Sequence, residues 1–140
     1  MTMALSTRVR NALLDAIESS MSTAPFLEFR TGAPPTNPSD PSTGNLLSRD
    51  ALPSDWMSAA AAGAKAKNGT WTATGLAGIT TSNIGYFRIY GFGSPDMCDI
   101  QGTVTATGGG GDMTVDNISL AAAQVVTINT FTLTAPNATS

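Results

Sequence analysis

The chain has no histidine and one cysteine, Cys98, in 140 residues. Without histidine it lacks the commonest general base and the commonest metal ligand. A single cysteine excludes an intrachain disulfide. Cys98 lies in an apolar-alternating segment and is expected as a buried, inert thiol, with no histidine to activate it. Charge is also scarce. Charged residues are 12% of the chain, roughly half the usual share of about 25%. Seven Lys and Arg stand against ten Asp and Glu, for a net charge of −3. The basic residues are scattered, and Lys65 with Lys67 is the only tight pair. A nucleic-acid binder needs a basic face to neutralise phosphates, so nucleic acid is not an expected partner. No run approaches the roughly 18 apolar residues of a membrane helix. The N-terminus also lacks the basic-then-apolar layout of a signal peptide. Synthesis in a reducing cytoplasm follows as the expectation, with no membrane partner.

What fills the gap is Thr, Ser, Ala, Gly and Asn. Such a surface is polar but nearly uncharged, and it suits close packing against other subunits because few charges must be desolvated. The length suits one domain with its own core.

Ser6 or Thr7 can cap an opening helix. Leu5, Val9, Ala12, Leu13, Ala16, Ile17 and Met21 recur at helical spacing, with Arg8, Asn11, Asp15 and Glu18 on the other face. This amphipathic helix should end before Pro25. It either covers the chain's own sheet or serves as an arm that docks on a neighbouring subunit. Phe26–Thr31 alternates, with Leu27 and Phe29 inward and Glu28 and Arg30 on a solvated face. Residues 31–45 carry four prolines and read as a long surface loop. Residues 46–52 suggest a short strand ending at Pro53. The Ala-rich stretch from Asp55 to Ala64 favours a short helix or turn stopped by Gly63, with a β segment of small side chains as the alternative. Gly69–Thr74 alternates Trp71 and Ala73 against three threonines and reads as a strand; residues 75–84 read as a loop.

The stretch from Gly85 to Thr134 is the expected framework. Tyr86–Tyr90 places Phe87 and Ile89 on one face and Tyr86, Arg88 and Tyr90 on the other. A turn at residues 91–96 leads into Cys98–Thr105, and these two strands should pair as a hairpin. The last strand, Val125–Thr134, contains a conflict. Val126 and Ile128 share one parity, Phe131 and Leu133 the opposite one. Either a bulge near Asn129–Thr130 reverses the parity, or both faces are covered.

Three weak signals for chemistry are each better read as structure. Gly108–Gly111 lacks the Lys-Ser/Thr of a phosphate loop and no helix signal follows, so it is expected as a turn. Asp96, Asp99, Asp112 and Asp116 match no calcium-loop spacing and are expected in turns and on solvated strand faces. Trp56, Trp71, Tyr86 and Tyr90 could form a sugar platform, but core or interface packing is the stronger reading. No catalytic, cofactor-binding or metal-binding residue is nominated, no cofactor is expected, and an enzyme is the least favoured class.

The order GYFRIYG, then CDIQGTVTATGGGGDMTVDN, then VVTINTFTLTAP resembles a family of small structural proteins of tailed bacteriophages. The upstream pieces NALLDAI, FLEFRTGAPP and AAAAGAKAKNGTWTATG extend the resemblance over most of the chain. It implies a mainly β fold, a single antiparallel β-sandwich or jelly-roll-like domain (25–140) behind an N-terminal helix or arm (1–24). It implies a virion component, made in the bacterial host cytoplasm, that works by assembly. The leading expectation is a capsid decoration or cement protein that binds the phage major capsid protein as a homo-oligomer such as a trimer. The alternatives are a minor tail or neck protein, or a carbohydrate-binding module of a tail fibre.

Overall fold

The structure, a computed structural model, describes residues 3–91 and 98–139. Its elements run β1 (Met3–Ala4), α1 (Thr7–Met21), β2 (Phe26–Arg30), β3 (Leu46–Ala51), β4 (Ala64–Ala66), β5 (Trp71–Thr74), β6 (Ser82–Asn83), β7 (Tyr86–Tyr90), β8 (Ile100–Ala106), β9 (Met113–Val115), β10 (Ser119–Leu120), β11 (Val125–Thr134) and β12 (Ala138–Thr139). The fold is therefore mainly β, with one helix near the N-terminus. One eight-stranded sheet carries the core, in the order β3-β2-β7-β8-β9-β11-β4, with β5 also paired to β11. The sheet curls until its ends approach. Leu76 N donates to Leu47 O at 2.9 Å, and Thr74 N donates to the Asp50 carboxylate at 3.1 Å. The hydrogen-bonded ladders link all eight strands into one mixed sheet. The β1–β12 and β6–β10 pairs are separate two-residue ribbons.

The β7–β8 hairpin forms as the alternation predicts, with Tyr86 opposite Thr103 and Ile89 opposite Ile100. The turn that joins these strands falls on residues 92–97, outside the described ones. The next pairing corrects the antiparallel expectation: β8 and β9 are parallel, Val104 opposite Met113. Parallel neighbours ordinarily need a crossover of a dozen or more residues. Here residues 107–112 suffice because the glycine run doubles back along β8. Gly108 and Gly110 have φ of +89° and +81°. At the alternate positions, a Cβ on Gly109 would sit 2.7 Å from the Thr105 side chain, and one on Gly111 would sit 2.9 Å from Thr105 N. Two positions need the left-handed backbone and two need the missing side chain, so all four must be glycine.

The parity conflict in β11 resolves by the bulge. The β11–β9 register shifts between Ile128 and Thr130. The extra residue lets Val126, Ile128 and Phe131 all point into the core, where each is buried. Around them Trp56, Trp71, Phe131 and Phe87 form a chain of tilted and edge-on rings with centroids 5.5–6.1 Å apart.

Two expectations for the upstream half are met in part or corrected. In the stretch from Asp55 to Ala64 the expected turn forms and the helix does not. Ala61 and Ala64 exchange backbone bonds around a tight turn at Ala62–Gly63. The reason is Met57 and Lys67, which bridge as antiparallel partners and hold the segment extended beside β4. The face of β2 that carries Glu28 is not solvated either: Glu28 is 3% exposed. The long loop at residues 31–45 folds over that face. All five residues of β7 are consequently buried, Phe87 and Ile89 by the core and Tyr86, Arg88 and Tyr90 beneath the loop.

Ser6 caps α1 as expected, accepting from Val9 N at 3.2 Å. The helix packs on its own chain, with only the Ile17 and Met21 end of the expected stripe turned inward. Leu14 and Met21 are its buried residues, and Ile17 packs against the core. Ala12, Leu13 and Ala16 are exposed. Nearer the N-terminus the inward position moves by one residue, from Leu13 to Leu14, about 100° around the axis.

Candidate functional site

Buried charge marks the places where side-chain chemistry concentrates. Among the described residues the buried charged side chains are Glu28, Lys65 and Arg88. A charge out of water must be paired or fully hydrogen-bonded, so each shows what its surroundings were built to satisfy.

Lys65 lies at the base of a cleft of about 560 Å³ between α1 and the extended segment before β4, lined also by Asp15, Glu18, Asp55, Met57 and Asn68. Strand alternation turns Lys65 inward while Ala64 and Ala66 flank it. Its Nζ donates to Asp15 Oδ1 and Glu18 Oε2, each at 2.7 Å. Burial pulls the ammonium pKa down, but the bonds and charges of Asp15 and Glu18 outweigh it and the net shift is upward. The bond from Lys65, and then the Ala60 amide, hold the Asp15 carboxyl below the usual carboxylate range. Asn11 accepts from Gly63 N at 2.9 Å, and Asp15 from Ala60 N at 3.0 Å. The polar residues of α1 thus grip the body alongside the apolar contacts of Leu14, Ile17 and Met21. Lys65 is held as a paired cation, which makes it a structural clasp and a poor nucleophile, since attack needs the neutral amine.

The second cluster lies under the loop. Arg88 Nη2 donates to the carbonyls of Asn37, Pro38 and Asp40 at 3.4, 3.2 and 2.9 Å, and Nη1 donates to Ser42 Oγ at 2.9 Å. Gln101 Oε1 accepts from the same guanidinium, while its Nε2 donates to Pro35 O at 2.6 Å. Tyr86 donates its hydroxyl to Thr43 O at 2.6 Å. Glu28 accepts from Arg49 at 2.6 Å and from Arg30 at 3.3 Å, and Arg49 lies over the rings of Phe26 and Tyr90. Pro35, Pro38 and Pro41 have the three-residue spacing of a polyproline ligand. The turn closed by Asp40 N to Asn37 O breaks that spacing, so the loop is a pinned cover and not an extended groove ligand.

The aromatic platform does not exist at the surface. Trp56, Trp71, Tyr86 and Tyr90 are each at most 1% exposed, and the packing reading holds. Asp99 accepts from Gly91 N, Asp112 from Thr103 N and Oγ1, and Asp116 from Thr127 N. These three carboxylates fasten backbone at turns and strand ends, and Asp96 lies outside the described residues. Among the described residues no group of three or more His, Cys, Asp or Glu is placed to hold a metal ion. The Gly109 and Gly111 amides donate internally, to Ala106 O and Thr105 Oγ1, which removes them from a phosphate cradle. The Cys98 thiol is half-buried rather than fully buried, donates to Ile100 O, and is shifted upward, first by burial. Lys67, the other half of the tight pair, caps Gly69 O.

Sequence reasoning missed the buried charges. The signal for Arg88 was its place between two tyrosines on a strand whose other face was already apolar. Lys65 had none beyond its parity in an alanine-rich run. No helix among the described residues is long and apolar enough to cross a membrane. No family model matches the chain, and no match to it was found among curated proteins or solved structures.

Proposed function

We propose that the chain is a structural subunit of a tailed-phage virion, a decoration protein that binds the major capsid protein on the assembled shell and works as a homo-oligomer. The observation that carries the reading is where the resembling motifs fall. GYFRIYG is β7, CDIQGTVTATGGGGDMTVDN spans β8, its glycine return and β9, and VVTINTFTLTAP is β11. Their polar residues are engaged in holding the frame together: Arg88, Gln101 and Tyr86 pin the loop, and Asp112 pins the glycine return. A frame stiffened this way presents a preformed surface, and binding through preformed surfaces loses less ordering entropy. The sparse charge lowers the desolvation cost of packing against neighbours. Many weak contacts per particle then add through multivalency. The sandwich implied by the resemblance corresponds, on this reading, to the two halves of the curled sheet facing each other across the core. Among the described residues the sugar-binding alternative has no exposed aromatic platform to stand on.

Quantitative mass spectrometry of purified particles of the phage that encodes the chain tests this. Hundreds of copies per particle, located on the shell by surface labelling, are expected. A handful of copies assigns the chain to the tail or neck, and absence from the particle overturns the virion reading altogether.

A further inference from the structure

We infer that the outer face of α1 is a homotypic contact, on which α1 of a second copy packs antiparallel. The inference specifies the homo-oligomer of the preceding reading but does not need a virion, and its test uses the purified chain alone.

The helix packs inward through Leu14, Ile17 and Met21, and part of its apolar stripe stays outside. An amphipathic surface helix normally turns its apolar stripe to the core. Here the carboxylates Asp15 and Glu18 must face inward to pair Lys65, which is 1% exposed. That fixes the rotation of the helix and leaves Leu13 51% exposed beside exposed Ala12 and Ala16, with Val9 half-buried next to them. The strip bears no charge. Along it Val9 and Leu13, one turn apart, make a ridge, while Ala12 and Ala16 make a parallel groove. Ridge beside groove on one face is self-complementary, and i±4 ridges packing into i±4 grooves is the commonest helix crossing.

The charges flanking the strip complete the match. Arg8 and Asp15 lie on the same edge of it, at opposite ends. Arg8 is exposed and makes no ion pair among the described residues, while the Asp15 side chain, though tied inward through Oδ1, keeps half of its surface exposed. A twofold axis near Ala12 reverses one helix against the other and sets Arg8 of each copy beside Asp15 of its mate. Two symmetry-related opposite-charge pairs then line one edge of the apolar seam, one at each end, as an isologous contact requires. A parallel arrangement would carry Arg8 to opposite edges of the seam and pair it with neither Asp15. One helix pair falls below the roughly 1,000 Å² expected of a stable interface, so the contact is weak in solution and gains strength when copies are held together.

Sedimentation equilibrium of the full chain over about 10 µM to 1 mM, a range suited to a contact this small, is the test. The expected result is a concentration-dependent monomer–dimer equilibrium. Leu13→Asp and, separately, Ala16→Arg should each weaken it at least about tenfold, leaving the melting temperature unchanged because both side chains point away from the body. Arg8→Glu should weaken it too, and high salt should blunt the difference between wild type and Arg8→Glu. A chain that stays monomeric throughout overturns the inference. So does self-association, as dimer or trimer, that Leu13→Asp and Ala16→Arg leave untouched. Whether particles contain many copies or few is a separate result and leaves this one standing.

Discussion

Ala62 occupies a left-handed conformation, φ +53°, at the first central position of the tight turn between Ala61 and Ala64, with Gly63 at +76° beside it. Both values positive is the hairpin turn that asparagine-glycine fits best. An alanine there carries local strain of about 1 kcal/mol or slightly more. Ala62→Asn should therefore stabilise the protein by about 0.5–1 kcal/mol, read as a higher urea midpoint at unchanged slope. Asp50 makes a second residue-level case. Burial raises its carboxyl above the ordinary value, against the smaller opposing effect of the Thr74 amide. A carboxyl whose folded value is raised costs stability as pH climbs from the unfolded value, near 3.9, through the folded one. Asp50→Asn keeps an acceptor for Thr74 N and removes the charge. It should raise the melting temperature at pH 7, with the gain fading below about pH 4, where the wild-type carboxyl is protonated in both states. A gain of equal size at pH 3 and pH 7 would contradict this cause. At this scale the sequence was informative where parity conflicted. The clash of Val126 and Ile128 with Phe131 and Leu133 located the bulge to within a residue, because side-chain alternation is a strict period and one extra residue is the simplest way to break it.

Elements were legible in type and misread in orientation. The helix, the β7–β8 hairpin and the alternating strand at Trp71 all follow from local periodicity. The rotation of α1 does not, because Lys65, some 50 residues downstream, decides it. An apolar stripe gains modestly from burial, whereas a buried ammonium left without carboxylates costs several kcal/mol, so the ion cluster wins. Replacing both partners, Asp15→Asn with Glu18→Gln, should lower the melting temperature, by an amount tempered because the cleft is open to water. Adding Lys65→Met to that background should recover much of the loss, since the orphaned charge goes with it. Three stabilities and the wild type complete the cycle. If Lys65→Met recovers nothing, the clasp is not what sets the helix. The parallel return from β8 to β9 was equally hidden, since four glycines signal a turn without revealing that the chain lies back against Thr105. Gly109→Ala should destabilise by about 1–3 kcal/mol through that contact, whereas the same change at Gly69, whose Cβ would meet nothing, costs only the strain of its positive φ.

At the scale of the molecule, layers come from segments that look like connections. The Pro-rich loop is the cover of the sheet's outer face, held by Arg88 and Tyr86. A residue-by-residue reading could place it only as a surface loop, because its partners lie more than 40 positions away. The N-terminal segment is a similar case. Met21 and Trp56 are fully buried in the core, and Trp56 Nε1 donates to Ser22 O at 3.3 Å, at the exit of α1. Removing residues 1–21 would strip Leu14, Ile17 and Met21 from the core and leave Lys65 without either carboxylate. Large apolar losses of this kind cost several kcal/mol each, and the stability of a whole domain is only about 5–15 kcal/mol. The truncated chain should therefore lose its cooperative thermal transition, and its tryptophan emission should shift to the red as Trp56 and Trp71, packed with ring centroids 6.1 Å apart, become wet. A dispensable arm would behave otherwise: truncation would leave the transition and the emission in place and abolish only association. Comparison with Leu13→Asp separates the two roles of one helix, because that change reaches the outer face and leaves the inner grip intact.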